Sequence, residues 1–332
     1  MATPDQRKDV RTALAAAFGR ARIGPFQPLV GGTSGASIYR FDVGARTYAL
    51  RLEPERIALQ NRQRHYACMS LASDAGAAPK VRFADAEAGV SIIDYIAGRP
   101  MAEHPAGPLG LMRALGALMM KVRAAGTFPD MGSYPELIGG LLAGLDASGQ
   151  FPVGGLATHI SGLARIQKAL PWEASTLGPS HNDPNPRNIL FDGERLWLID
   201  WELAARNDPL TDVAILSNDL ANSPESESAL LEAAFGRPAD RLTHVRLQVM
   251  KQLTRLFYGC IILENFTLAT APVVDEAAIA TPAAFRSAVA GGRFASGSRE
   301  AGYAFARMCL NTFAADLETS EFETALSLAS RG

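Results

Sequence analysis

Two unequal lobes, the first built on an antiparallel sheet and the second mostly helical, are the α+β architecture this sequence predicts. Three observations carry that reading. β-Prone runs crowd ahead of residue 98, helical periodicity dominates behind an Ala97-Gly98-Arg99-Pro100 break, and 332 residues are enough for about two domains of ordinary size. The expected division is 1–98 and 99–332.

The elements follow in order. Residues 3–18 read as a helix capped by Thr3 or Asp5, with Val10, Leu14 and Phe18 on one face at four-residue spacing. Three short runs follow, Pro28-Leu29-Val30, 37–41 and 47–52, separated by glycine turns as in an antiparallel meander. Residues 54–73 look helical, and 80–84 and 89–96 return to strand character around a turn near Ala88-Gly89. That makes a five-stranded antiparallel sheet with one helix before it and one within it.

Helices are then expected over 109–125, 134–147 and 156–170. The pattern breaks for Asn188-Ile189-Leu190-Phe191 and 195–199, joined through Asp192-Gly193, a strong hairpin signal. Helices resume over 210–220, 225–234, 241–268 and from 297 to the end, with 271–297 left as an Ala/Pro/Gly-rich mobile connection.

Composition narrows the function. The chain has 32 Lys+Arg against 34 Asp+Glu, so no excess of basic charge points to nucleic acid or a membrane surface. Arg113 interrupts the apolar stretch 109–120, and no segment reaches the roughly 20 apolar residues of a spanning helix. Charges scattered through 1–22 leave no signal-peptide core, which predicts a soluble cytoplasmic protein; a monomer or homodimer is expected. Cys68, Cys260 and Cys309 lack paired spacing and read as buried apolar residues.

The densest polar cluster is Ser180-His181-Asn182-Asp183-Pro184-Asn185-Pro186-Arg187-Asn188, just before the hairpin, with Ile199-Asp200-Trp201-Glu202 at its far end. Folding the hairpin brings Asn188 and Asp200 together. Two oxygen ligands converging in this way suit Mg²⁺ with nucleotide phosphates. Asp183 would sit beside the metal, placed to orient an attacking hydroxyl and accept its proton.

His181-x-Asp183-x4-Asn188 followed by Ile199-Asp200-Trp201 resembles the signature of aminoglycoside phosphotransferases and choline/ethanolamine kinases, small-molecule members of the protein-kinase-like fold. Asn182, Glu202 and the stretch from Asn207 to Asp212 look closer to the choline kinase branch. The resemblance implies a two-lobed kinase-like fold, with a nucleotide-binding lobe over 1–98 and a catalytic, metal-binding and acceptor-binding lobe over 99–332. It implies ATP and Mg²⁺ as cofactors, and transfer of the γ-phosphoryl to a small-molecule hydroxyl. Asp183, His181 and Asn188 form the implied catalytic set, with His181 positioning the loop; Asn188 and Asp200 hold the metal. Glu202, Asp212 and Asp219 are implied at the acceptor or behind the catalytic loop, Asp212 as a brace for it.

The N-terminal part offers an independent check. Gly31, Gly32, Thr33, Ser34 and Gly35 join the first two strands, where glycines let backbone N–H groups approach phosphates. Arg51, on the third strand, stands where the resemblance implies a phosphate-holding cation, usually lysine; a planar fork there makes different contacts. Main-chain groups near Tyr95 and Ile96 are implied at the adenine edge. The helix glutamate that normally pairs with the cation has no counterpart, since 56–73 contains no Asp or Glu, with Gln60 and Gln63 the nearest polar substitutes. That departure motivates the alternative of a nucleotide-binding pseudokinase or regulatory module; a metal-dependent hydrolase ranks last, for want of closely spaced ligands.

The acceptor is less defined. Phe257, Tyr258 and Phe266 share one expected helix, but Trp172, Trp197 and Trp201 leave the C-terminal helices without tryptophan for an ammonium cage. Residues 224–332 carry 12 Asp+Glu against 10 Lys+Arg, too small an excess for a polycationic aminoglycoside. His65, His104, His159 and His244 read as structural.

Overall fold

A computed structural model describes residues 4–29, 35–54, 61–170, 172–173, 176–295 and 297–330, with Asp5 described by its backbone alone. Gly31, Gly32, Thr33, Ser34 and Gln60 lie outside the described residues, as does Thr3. In chain order the elements are α1 Lys8–Phe18, β1 Gln27–Leu29, β2 Ser37–Val43, β3 Arg46–Leu52, α2 Arg62–Asp74, β4 Val81–Asp85, β5 Val90–Asp94, α3 Gly107–Arg123, α4 Tyr134–Ala147 and α5 Ala157–Ala169. They continue with β6 Gly178–Ser180, β7 Ile189–Phe191, β8 Leu196–Leu198, β9 Ala205–Asn207, α6 Leu210–Leu220, α7 Pro224–Phe235, α8 Arg241–Leu263, α9 Pro282–Ala290, α10 Arg299–Asp316 and α11 Ser320–Ala329.

The chain divides into two compact units, Met1–Asp130 with Leu177–Pro238, and Met131–Thr176 with Ala239–Gly332. In the first, β1 to β5 form one antiparallel sheet in the order β1-β2-β3-β5-β4. Alternation along β3 sends Tyr48, Leu50 and Leu52 into a core with Val10, Ala13 and Leu14 of α1, Phe41 of β2, and Val90 and Ile92 of β5. Arg51 therefore emerges on the opposite face, paired in register with Ile38 and Ser91. The same unit packs α3 against α7 at very close range, because a Cβ on Gly116 would lie 2.4 Å from the Leu230 carbonyl oxygen.

Several expectations need correcting. α1 begins at Lys8 rather than at residue 3: Pro4–Gln6 forms a separate 3₁₀ turn, and Arg7 holds the cap position without a side-chain bond. The second helix starts at Arg62, where the Asn61 side chain accepts from the Arg64 N–H at 3.1 Å. Arg195, read as the start of the second strand, belongs to the turn Asp192 to Arg195, where the Asp192 carboxylate gathers the N–H groups of Glu194 and Arg195, both at 2.8 Å.

In the second unit, α8 ends at Leu263, which leaves Phe266 outside the helix expected to carry it. The segment 271–297, read as a loop, contains α9, opened by Thr281 as cap and Pro282 in the first turn. Ile279, Phe294, Ala301 and Ala304 form a small core beside it. The C-terminal segment is two helices, α10 and α11, because Thr319 caps a new start by accepting from the Phe322 N–H. Cys68, Cys260 and Cys309 are all buried, and none is in a disulfide among the described residues. Among the described residues no helix is long and apolar enough to cross a membrane.

Candidate active site

The hairpin brings the two halves of the polar cluster together, as its pairs Ile189 with Leu198, Leu190 with Trp197 and Phe191 with Leu196 show. One step beyond the pairing, the Ile199 N–H donates to the Asn188 carbonyl at 3.0 Å, so Asn188 and Asp200 stand at the same end of the hairpin. Ile189, Phe191, Leu196 and Leu198 are buried and anchor the hairpin as a unit.

Asp183 is held from two sides. Its carboxylate accepts from Asn185 Nδ2 at 2.7 Å and from Asn188 Nδ2 at 2.9 Å, and Asn188 Nδ2 also reaches the Asp183 carbonyl at 2.9 Å. These donations fix the Asn188 amide with its nitrogen toward Asp183. The amide oxygen is thereby turned to the other side.

The loop ahead of Asp183 rests on Asp212, in the first turn of α6. Its two carboxylate oxygens accept the backbone N–H groups of His181 at 2.8 Å and Asn182 at 2.7 Å. Burial pushes the Asp212 carboxyl up to about 6, although those two donors favour its charged form. Asn182 adopts φ 64, an unusual left-handed conformation for a non-glycine residue, and its side chain spans Leu203 O and Asn207 Nδ2 at 2.9 and 2.7 Å. The short β6 and β9, which pair Gly178–Ser180 with Ala205–Asn207, complete this frame.

His181 is fully buried. Its Nε2 lies 3.0 Å from the Ile199 carbonyl, an acceptor, so Nε2 carries the proton. Its ring meets Trp201 edge-on at 4.5 Å, and burial holds it neutral with a pKa lowered to about 4. Asp200 also takes a left-handed conformation, φ 65, at the start of the turn after the hairpin.

Arg51 reaches this cluster from β3. Its Nε lies 3.3 Å from Glu53 Oε1, its Nη1 donates to Asp200 Oδ1 at 3.3 Å, and its Nη2 pairs closely with Glu202. Three carboxylates share one guanidinium. On the α2 side, Arg62 Nε stands 3.6 Å from Glu53 and His65 Nδ1 3.2 Å from it, while Arg64 donates to the Glu202 carbonyl at 3.1 Å. The polarity expected between strand and helix is inverted, since α2 brings Arg62, Arg64 and His65, and the acids come from the end of β3 and from Glu202. Burial raises Glu53 above the usual carboxylate range, opposed by Arg51 and Arg62, and lowers His65 to about 3.

Sequence reasoning noted Glu53 only as an acid ahead of the helix, assigned it no contact with Arg51, and read His65 as structural. Period-2 alternation from Arg51 would have placed Glu53 on the same face. Gln63, considered as a substitute partner, is exposed. Of the adenine-edge residues, the Tyr95 N–H donates to Thr47 O at 3.1 Å and is already engaged. Gly35, the described residue of the glycine turn, has φ 74. Asp219 is half-buried on α6. Phe257 packs on Tyr134 at 5.2 Å, Tyr258 faces Phe305, and Arg299 sits 4.4 Å over Phe266.

Among the described residues no three His, Cys, Asp or Glu side chains form a cluster able to hold a metal. The donors at the hairpin end are the Asn188 amide and the Asp200 carboxylate, hard oxygens that suit Mg²⁺ with water and phosphate completing its shell. The arginine that Asp200 and Glu202 already hold shows that these carboxylates accept a cation.

Residues 25–243 match the Phosphotransferase enzyme family. A curated relative, Protein LicA of Haemophilus influenzae, is 35% identical over 79 residues, which span 22% of this chain and 30% of that protein. A choline/ethanolamine kinase family protein from Mesorhizobium loti has a TM-score of 0.68 at 24% identity, covering 98% of this chain and 99% of that one. LicA in complex with AMP gives 0.61 at 17% identity, covering 92% and 98%. Spectinomycin phosphotransferase in complex with ADP and spectinomycin gives 0.54 at 13% identity, covering 98% and 97%. These structures share its α+β, kinase-like fold, and with most of its length matched the chain belongs to the Phosphotransferase enzyme family.

Proposed function

We propose that the protein is an ATP-dependent O-phosphotransferase that moves the γ-phosphoryl of Mg-ATP to a hydroxyl of a small molecule, in the manner of a choline/ethanolamine kinase or an aminoglycoside phosphotransferase. The observation that carries this reading is the Asp183 carboxylate, oriented by Asn185 and Asn188 while the hairpin sets Asn188 beside Asp200. Nucleotide-bound relatives of the same fold support it.

In this mechanism Asp183 accepts a hydrogen bond from the acceptor hydroxyl and takes its proton as the new O–P bond forms and the bond to ADP breaks. Asn188, through its amide oxygen, and Asp200 would hold Mg²⁺, which when bound would offset negative charge on the phosphates. His181 is a positioning residue: its proton is committed to Ile199, and it fixes the turn that presents Asp183. Asp212 braces the same turn through two backbone donors. Arg51, the glycine turn from Gly31 to Gly35, and main-chain groups at Tyr95 and Ile96 hold the nucleotide; with the Tyr95 N–H engaged, the Tyr95 carbonyl and the Ile96 N–H meet the adenine. Glu202 stands behind the metal and phosphate residues, paired with Arg51, and Asp219 serves the acceptor side. The nucleotide-binding part is 1–98 and the catalytic part 99–332.

The pseudokinase alternative arose from the missing acidic residue over 56–73. Glu53 and Glu202 supply acidic partners to Arg51 from elsewhere, which supports the transferase reading. The test is a phosphoryl-transfer screen with Mg-ATP against amino alcohols, hydroxy amino acids, sugars and aminoglycosides. Transfer to one class, lost in Asp183→Ala and in Asp200→Ala with the fold retained, is expected. Wild-type turnover by either variant overturns the assignment, and nucleotide binding without transfer to any class favours the pseudokinase.

A further inference from the structure

We propose that Arg51 is a built-in counter-cation that competes with divalent metal for Asp200, so that metal binds tightly only together with nucleotide. The inference rests on the phosphotransferase reading, in which Asp200 is a metal ligand, and extends it to the order in which the site is loaded. A lysine ammonium is a compact point charge, whereas the guanidinium fork spreads three nitrogens over Glu53, Asp200 and Glu202. The side chain of Glu53 is 1% exposed and that of Arg51 16%, so their contact is poorly screened by solvent.

The arrangement has a direct consequence for metal affinity. Asp200, at 33% side-chain exposure, is the open member of the three, and its oxygen toward Arg51 is one that a metal would use. A divalent ion arriving alone meets a carboxylate already neutralised and a fixed positive charge beside it. A nucleotide changes that balance, because its phosphates offer Arg51 an alternative partner and supply further oxygens to the metal. Phosphates thus draw Arg51 from Asp200 as the metal takes its place.

Glu53 remains paired through this exchange. Arg62 and His65 of α2 stand 3.6 and 3.2 Å from it, so a shift of Arg51 leaves the buried carboxylate with polar neighbours. That support distinguishes a displaceable clamp from a purely structural ion pair, whose release would strand a buried charge.

The test is Mn²⁺ binding followed by the electron paramagnetic resonance signal of the free ion, with and without a non-hydrolysable ATP analogue. Wild type is expected to bind Mn²⁺ weakly alone and at least about tenfold more tightly with the analogue, about 1.4 kcal/mol. Arg51→Gln is expected to bind Mn²⁺ alone at least about tenfold more tightly than wild type, and Mn²⁺ alone should raise its melting temperature but not that of wild type. Arg51→Lys, which keeps the charge but not the fork, covers the case in which Arg51→Gln fails to fold; its affinity for Mn²⁺ alone should rise by at least about threefold. If wild type binds with the analogue but the substitutions gain nothing, Arg51 is not the competitor. If metal binds to none of the proteins even with nucleotide, both this inference and the phosphotransferase reading fall.

Discussion

Replacing Asp212 by Asn changes one buried oxygen for an NH₂ group, and the structure determines what that does at each pH. Asp212 uses both oxygens to accept N–H groups, at 2.8 Å from His181 and 2.7 Å from Asn182. Asn can accept one and must present a donor to the other. The unsatisfied buried N–H costs about 1–3 kcal/mol. Against this, burial raises the carboxyl from 3.8 to about 6, so carrying its charge at neutral pH costs the folded protein about 3 kcal/mol that Asn does not incur.

At pH 7 the two effects nearly offset, and Asp212→Asn should lie within about 2 kcal/mol of wild type by urea unfolding. Below pH 6 the wild-type carboxyl protonates in the fold before it does in the unfolded chain. The folded state then binds the extra proton, and its stability relative to the variant rises as pH falls toward 4, by about 3 kcal/mol in all. Turnover should fall by about 100-fold at every pH, since a displacement of about 1 Å in the Asp183 turn is enough for such a loss. Parallel stability curves for the two proteins would mean that Asp212 carries no buried charge cost. Unchanged turnover would mean that the turn does not depend on it.

Asp183→Asn should lower turnover by about 10²–10⁴-fold with its melting temperature close to that of wild type, as steady-state kinetics and thermal unfolding would show; a smaller loss contradicts its role as base. Gly116→Ala places a methyl 2.4 Å from Leu230 O and 2.6 Å from Ala233 Cβ, and the forced separation of α3 and α7 should cost about 1–3 kcal/mol in urea unfolding. Burial holds His65 near 3 and His181 near 4, both below the ordinary 6.5, so the unfolded chain takes up these protons first. Their contribution to stability is complete above about pH 6.5 and drains as pH falls toward 3–4; His65→Gln should flatten that slope in unfolding measured across pH.

The parts of the fold legible in the sequence are those whose cause is local. Tyr134–Ala147 follows from periodicity and its Ser133 cap, Leu210–Leu220 from periodicity, and the hairpin from Asp192-Gly193 between two apolar runs. The triplets β6 and β9 were not legible, because Gly178-Pro179-Ser180 and Ala205-Arg206-Asn207 become strands only by pairing with each other across 27 residues of chain. α9 was hidden by its Ala-rich composition, although Thr281-Pro282 marks its start.

The same boundary runs through the candidate site. Spacing alone brought Asp183, Asn188 and Asp200 into view, because a hairpin of a dozen residues must return Asp200 to Asn188. Tertiary structure decided what Arg51 touches. Asp200 lies 149 residues away, and the acids that meet the guanidinium come from two segments whose approach no local pattern encodes. His65, ordinary in the sequence, gains its place beside Glu53 because α2 packs against the end of β3. Hydrogen-bonded turns and helical faces arise from short-range geometry and can be read along a chain, whereas the balance of buried charge depends on which distant residues the fold encloses together.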